Sequence, residues 1–173
     1  KRAREFVQRH PHVTANLHLP GLPGLAGRRM LSTVNEEQLR RILSRMLDEK
    51  EFYGPHGIRA LSKFHEEHPF VFHFGGQEYR VAYLPADSDS GMFGGNSNWR
   101  GPVWMPVNML LYSSLLRMGA YYGDSFKVEC PTGSGNMMTL FEVAQDLAER
   151  LIGTFQVDSS GRRPVFGGSG KFQ

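Results

Sequence analysis

The clearest pattern of apolar and polar positions lies between residues 39 and 47. Apolar side chains recur there at intervals of three and four, at Leu39, Ile42, Leu43, Met46 and Leu47. This spacing predicts an amphipathic helix with a single buried face. Its start is indicated by Thr33 followed by Glu36, or by Asn35 followed by Gln38, since either pair can form a capping box.

Three other segments also have helical character. Residues 1–9 read as the end of a helix that stops before Pro11, because proline disfavours helical geometry in the residue preceding it. The stretch 105–119 is apolar on almost every side, which predicts a helix buried around most of its circumference. The segment 139–151 begins with a Thr-Glu capping box and continues with an apolar stripe.

The middle of the chain changes period. A short helix is expected over residues 58–68, ending before Pro69. Apolar and polar residues then alternate on both sides of a Gly75-Gly76 pair, which predicts a β-hairpin near residues 70–84. The stretches 85–102 and 121–138 read as long loops. The fold class predicted from this pattern is mainly α with one β-hairpin.

Composition narrows the function classes. The chain has 173 residues, a net charge of +3 and a pI near 9.2, but its Lys and Arg residues are scattered rather than striped, so no nucleic-acid partner is expected. Neither a membrane-spanning apolar run nor a secretory signal is visible. Cys130 is the single cysteine, which excludes an internal disulfide and a multi-cysteine zinc site. These features predict a cytoplasmic protein without a metal or another cofactor and without a membrane partner.

Three short motifs do not fully match the binding sites that they resemble. Residues 167–171 resemble a phosphate-binding loop, but the first glycine position and the final Ser/Thr position are not matched. His65 and His68 are three residues apart, whereas the zinc-protease motif requires four. Asp87 and Asp89 begin like a calcium loop, but its bidentate glutamate is missing. None of these motifs identifies a site.

The loop 91–104 carries the chemistry that suggests a ligand. Trp99 and Trp104 lie close to Arg100, Asn98 and several glycines. Indole rings stack on the C–H face of a pyranose, and Arg and Asn side chains hydrogen-bond to its hydroxyl groups. The two tryptophans could equally be core anchors that hold the loop against the following helix. The residues alone leave both interpretations open.

The segment Asn98-Trp-Arg-Gly-Pro-Val-Trp104, followed by Pro106-Val-Asn108 and an apolar helix, resembles the signature of glycoside hydrolase family 63. Other stretches also resemble bacterial members of this family, namely residues 57–62, 76–81, 126–133 and 161–165. The resemblance runs from about residue 39 to residue 173.

The resemblance implies part of an (α/α)6 toroid with its active site at one mouth. It also implies inverting acid–base hydrolysis of an α-glucosidic or related glycosyl bond, by two carboxyl groups roughly 6.5–9.5 Å apart. Among the residues that match the signature, Trp99, Arg100, Gly101 and Trp104 would line the pocket for the carbohydrate substrate, and Asn98 and Asn108 would either contact the substrate or hold the loop.

The catalytic acid and base implied by the family fall upstream and downstream of this sequence, so no catalytic residue is assigned within it. Residues 1–173 are therefore expected to be a single-domain fragment, the C-terminal portion of a glycosidase barrel, inactive without the remainder of its polypeptide. A non-catalytic carbohydrate-binding or interaction module is the alternative.

Overall fold

The structure, a computed structural model, describes residues 2–14, 24–28, 30, 32–84 and 102–167. Five α-helices lie in these ranges: α1 (Arg2–Arg9), α2 (Pro11–Thr14), α3 (Glu36–Met46), α4 (Met105–Tyr122) and α5 (Leu140–Gly153). Single turns of 3₁₀ helix occur at Leu25–Gly27, Lys63–Glu66 and Pro164–Phe166.

The strands within the described ranges form three separate antiparallel pairs. These are β1 (Tyr53–Gly54) with β2 (Gly57–Ile58), β3 (Phe70–Phe74) with β4 (Gln77–Val81), and β5 (Lys127–Glu129) with β6 (Met137–Thr139). In the longest pair Phe72 lies opposite Tyr79, and the turn consists of Gly75 and Gly76, both at positive φ. Two-residue hairpin turns favour such angles because their twist matches that of the strands. The predicted hairpin near residues 70–84 is confirmed.

The core lies between α3, α4, α5 and the β1–β2 and β5–β6 pairs. Helix α5 packs along α4 and against β2 and β6, and α3 packs against β5. The buried side chains are those of Leu39, Leu43, Leu47, Tyr53, Ile58, Leu115, Phe126, Val128, Cys130, Leu140, Val143, Ala144, Leu147 and Leu151. Both predicted apolar stripes therefore contribute to a single cluster.

The helix starts follow the predicted capping chemistry. Asn35 caps α3 in a reciprocal box with Gln38, so that pair, and not Thr33 with Glu36, marks the start of the helix. Thr139 and Glu142 form the same box at α5. Each box satisfies backbone N–H groups of the first turn that have no partner within the helix.

The predicted fold class, a mainly α part of an (α/α)6 toroid, is wrong for the described residues. A toroid requires successive helices to pack side by side, whereas α4 and α5 are the pair of long helices that pack extensively here. Between α3 and α4 the described chain forms two strand pairs and a 3₁₀ turn. A continuous helix cannot form in that region, because Pro55 lacks a backbone N–H and Gly57 has a positive φ.

Three further expectations are corrected. The helix expected over residues 58–68 is instead strand β2 followed by the Lys63–Glu66 turn. The loop expected over 121–138 contains β5 and the start of β6. Helix α4 is also less buried than its composition indicates, because Met109 and Leu110 are 54% and 68% exposed. Among the described helices, none combines the length and apolar character needed to span a membrane.

Candidate functional site

A cleft of about 640 Å³ opens between the β1–β2 turn, the start of α4 and the end of α5. It is lined by Gly54, Pro55, His56, Arg59, Tyr83, Pro102, Val103, Met105, Thr154, Phe155, Pro164, Val165, Phe166 and Gly167. Its volume lies in the range typical of small-molecule sites, and an apolar lining with a few polar groups is their usual composition.

The chemistry of the cleft is aromatic and basic. Tyr83, Phe155 and Phe166 provide ring surface, and Phe155 is 53% exposed. The guanidinium carbon of Arg59 lies 5.8 Å from the centre of the Tyr83 ring, within the range of a cation–π contact. His56 adds an imidazole at the tip of the β1–β2 turn. None of the described lining residues is a carboxylate, so the pair of carboxyl groups that inverting glycoside hydrolysis uses does not occur among them.

Backbone hydrogen bonds fix the walls of the cleft to one another. The Ala60 N–H donates to the Pro102 carbonyl at 2.7 Å, which joins the segment after β2 to the segment before α4. The Val165 N–H donates to the Thr154 carbonyl at 2.8 Å, which holds the last 3₁₀ turn against the end of α5. Segments far apart in sequence are thereby held in one site.

The side chain of Arg59 is held by backbone carbonyls of the segment that precedes β1. Its Nη1 donates to the carbonyls of Glu49 and Glu51 at 2.9 and 3.2 Å. A side chain at Gly54 would come within 3.3 Å of Arg59 Nε, so glycine at this position leaves room for the guanidinium beside β1. The guanidinium is therefore fixed relative to the β1–β2 turn.

Asn108 lies behind the cleft and uses both ends of its amide within the protein. Its side chain is 1% exposed. The Ile58 N–H donates to Oδ1 at 2.8 Å, and Nδ2 donates to the Ile58 and Trp104 carbonyls at 3.0 and 3.1 Å. Asn108 thus joins β2, which lies between the cleft residues His56 and Arg59, to the first turn of α4, which contributes Met105 to the cleft lining.

A hydrogen-bonded cluster of Tyr53, Asp146 and Arg150 holds β1 against α5. The buried Tyr53 hydroxyl donates to Asp146, which also accepts from Arg150 Nε at 2.8 Å. Arg150 Nη1 donates to the Gly54 carbonyl at 3.1 Å, and its guanidinium carbon lies 3.9 Å from the centre of the Tyr53 ring. Burial, together with the bond to Asp146, raises the pKa of Tyr53, so the phenol remains a neutral donor.

Cys130 is fully buried beside this group. Burial raises the pKa of its thiol, which keeps the reactive thiolate scarce. Within the described ranges, no three His, Cys, Asp or Glu side chains cluster in a way that could hold a metal ion.

The predicted site residues fall into two groups. Asn98, Trp99, Arg100 and Gly101 lie outside the described residues. Trp104 immediately precedes α4, between the cleft residues Val103 and Met105, and its carbonyl accepts the bonds from Asn108. Asn108 is one turn further along α4, facing Ile58.

Sequence reasoning did not select His56, Tyr83, Phe155 or Phe166 as site residues. Tyr83 belongs to the alternating pattern that predicts a strand, Phe155 follows the end of the last predicted helix, and Phe166 lies in a glycine-rich tail that has no periodicity. A signal exists in the sequence for Arg59 and for Pro164 with Val165, because residues 57–62 and 161–165 resemble segments of glycoside hydrolase family 63.

The chain is 50% identical over 174 aligned positions to Uncharacterized protein YMR196W of Saccharomyces cerevisiae. The match covers 99% of this chain and 16% of the yeast protein, so the chain spans about a sixth of the length of this relative. No protein-family model matches the chain, and no solved structure matches it.

Proposed function

We propose that the cleft binds a carbohydrate and that the chain forms the sugar-contacting part of a glycoside hydrolase. The observation that supports this is that separate segments with the family resemblance meet in one cleft. Residues 57–62, residues 161–165 and the end of the Trp-Arg loop at Pro102–Val103 all resemble glycoside hydrolase family 63, and each contributes to the lining of one cleft. These segments are far apart in sequence, so their meeting is not a consequence of chain proximity.

The lining suits a sugar chemically. Flat faces of Tyr83 and Phe155 can pack on the C–H face of a pyranose, while Arg59 and His56 can hydrogen-bond to its hydroxyls. The reaction that we propose is inverting hydrolysis of an α-glucosidic bond, with an acid that protonates the leaving oxygen and a base that activates water. The two carboxylates would come from other parts of a longer polypeptide, with the length of the yeast relative as the precedent.

A non-catalytic carbohydrate-binding module is the second candidate. It is favoured by the lack of a carboxylate among the described lining residues. The two candidates share the binding step and differ only in hydrolysis, so separate measurements address them.

Binding is tested by titrating maltose into the chain while following tryptophan fluorescence, since Trp104 lies between two cleft residues. We expect saturable binding that Tyr83→Ala weakens roughly tenfold, as expected for the loss of about 1.4 kcal/mol of stacking. Tyr79→Ala, on the β3–β4 hairpin, is the matched control and should bind like the wild type. Equal affinity in all three proteins would contradict a sugar site in this cleft.

Residues of the Trp-Arg loop extend this test. We expect Trp99→Ala and Arg100→Ala to weaken maltose binding more than they lower the free energy of unfolding. If both variants instead unfold the chain, these residues are core anchors and not sugar contacts.

Hydrolysis is tested with the full-length yeast relative on a panel of α-linked glucosides and small glycosyl conjugates. Release of the β-anomer of the sugar, followed by NMR during turnover, is the expected signature of inversion. Sugar binding without any cleavage across the panel would leave the non-catalytic module as the function.

A further inference from the structure

The β1–β2 turn is held more firmly than its size explains. It is a two-residue turn, Pro55–His56, between strands of two residues each. A two-stranded hairpin is at best marginally stable by itself, and one this short has almost no ladder of its own. The strands on either side of this turn nevertheless receive side-chain hydrogen bonds from both α4 and α5.

Asn108 holds the turn from α4. It bonds to both the N–H and the carbonyl of Ile58 and to the Trp104 carbonyl. Gly57 permits this contact, because its φ is +116° and a side chain there would come within 3.0 Å of Asn108 Oδ1. The amide therefore sets the distance between the turn and the start of α4.

Arg150 holds the turn from α5. Its Nη1 bonds to the carbonyl of Gly54, the residue paired with Gly57 across the turn. Asp146 orients the guanidinium through Nε, and the Tyr53 ring lies beneath it. One strand of the pair is thus held by α5 at Gly54 and the other by α4 at Ile58.

His56 is the residue that this arrangement presents to the cleft. It is half-buried at the tip of the turn and lines the cleft together with Arg59 and Tyr83. Supporting contacts that fix a side chain in a binding site are what preorganised recognition requires. An imidazole nitrogen can donate a hydrogen bond to a hydroxyl group or accept one from it.

We propose that His56 contacts the sugar bound in this cleft through its imidazole, and that Asn108 and Arg150 are positioning residues that hold its turn in place. This inference rests on the proposed carbohydrate-binding function. It assigns a specificity-determining contact to the cleft, and it gives the buried amide of Asn108 an indirect role instead of contact with the sugar.

The experiment follows histidine C–H resonances by NMR while maltose is added to the chain. The His56 signal is assigned by its loss in His56→Ala. We expect that signal to shift with maltose in the wild type, and His56→Ala to weaken binding roughly tenfold, the loss of one well-formed hydrogen bond. His56→Gln keeps a donor and an acceptor and should recover part of the affinity. His73→Ala, on the exposed hairpin, is the matched control and should bind normally.

The positioning role is tested with Asn108→Ser and with the milder Arg150→Lys, each checked for folding by circular dichroism. Both should weaken maltose binding and reduce the shift of the His56 signal at saturation. Combining either with His56→Ala should add little further loss, because residues that act through one contact are not additive.

Maltose binding that depends on Tyr83 but leaves the His56 signal unmoved would overturn this inference while leaving the proposed function intact. Normal affinity and a normal His56 shift in both positioning variants would overturn their assigned role. Failure of the wild type to bind maltose or any other α-glucoside would overturn the proposed function, and the inference with it.

Discussion

At the scale of single residues, the core tolerates polar groups where each one has a partner. The Tyr53 hydroxyl is buried without exposed surface, and its bond to Asp146 replaces the water that it loses. Asn108 follows the same rule with three backbone contacts. Both residues lie behind the cleft, so satisfying their polar groups also fixes the cleft walls.

Tyr53→Phe should lower the free energy of unfolding by about 1.5–3 kcal/mol, because it removes a buried hydrogen bond to a charged acceptor. Urea denaturation measures the loss. Tyr79→Phe is the matched control: its hydroxyl bonds to Gln77 at 3.1 Å on the exposed hairpin, so a change within about 0.5 kcal/mol is expected. Equal losses at the two positions would contradict a special role for the Tyr53–Asp146 bond.

The environment of Glu129 predicts how the stability of the fold changes at low pH. Its carboxylate accepts N–H groups of Gly133 and Gly135 at 2.8 and 2.5 Å, and these bonds hold its pKa below the usual value of 4.5. A lowered pKa in the folded state contributes stability above the usual pKa, and this contribution is lost as pH falls through the folded value. Glu129→Gln should therefore be less stable than the wild type near neutral pH, and the difference should vanish in acid. A difference that stays constant with pH would contradict this linkage.

At the scale of elements, the β1–β2 pair shows how a short ladder is stabilised from outside. Its two strands exchange few hydrogen bonds, and helices α4 and α5 provide the rest through Asn108 and Arg150. Gly57 is the position where this arrangement is tightest. A side chain there would come within 2.6 Å of Leu151 and 3.2 Å of Val103.

Gly57→Ala should be destabilising by roughly 2–5 kcal/mol, since it adds both backbone strain and overpacking. Gly76→Ala separates the two causes, because Gly76 also has a positive φ but has no atom within 4 Å of the added carbon. Strain alone predicts about 1 kcal/mol there. Thermal unfolding of both variants provides the comparison, and similar losses would show that packing at Gly57 is unimportant.

At the scale of the whole molecule, the β3–β4 hairpin stands apart from the core. Phe70, Phe72 and Phe74 lie on one face of it and are each at least half exposed. The rings of Phe72 and Phe74 stack on one another, with centroids 6.3 Å apart. The apolar pattern that predicted this hairpin therefore reflects strand formation and not burial within the described chain.

Removing an aromatic ring should thus lower the free energy of unfolding much more in the core than on the β3–β4 hairpin. Phe126→Ala, at a site 3% exposed, should cost about 3–5 kcal/mol of unfolding free energy. Phe74→Ala, at a site 69% exposed, should change it by no more than about 0.5 kcal/mol. Chemical denaturation of the isolated chain distinguishes them, and a large loss for Phe74→Ala would mean that the hairpin belongs to the folding core.

The parts of the fold that could be predicted are those governed by local rules. The starts of α3 and α5 follow from capping boxes, and the β3–β4 turn follows from a Gly-Gly pair between alternating segments. The β5–β6 pair was missed because its strands have three residues each, too few to establish a period. The exposure of Leu110 was missed because composition does not reveal which face of a helix has a neighbour.

The sequence by itself determined the starts of α3 and α5, most of the apolar positions that form the core, although the predicted stripe residue Ile42 is half exposed, and the set of segments that resemble a glycosidase family. Those are local properties, set by side-chain spacing and by backbone hydrogen bonds at helix ends. The tertiary structure alone decided that Arg59, Tyr83 and Phe155 share a cleft, and that Asn108 faces Ile58. Contacts between residues of different elements depend on how all the elements pack together, and no single segment of the chain encodes that packing.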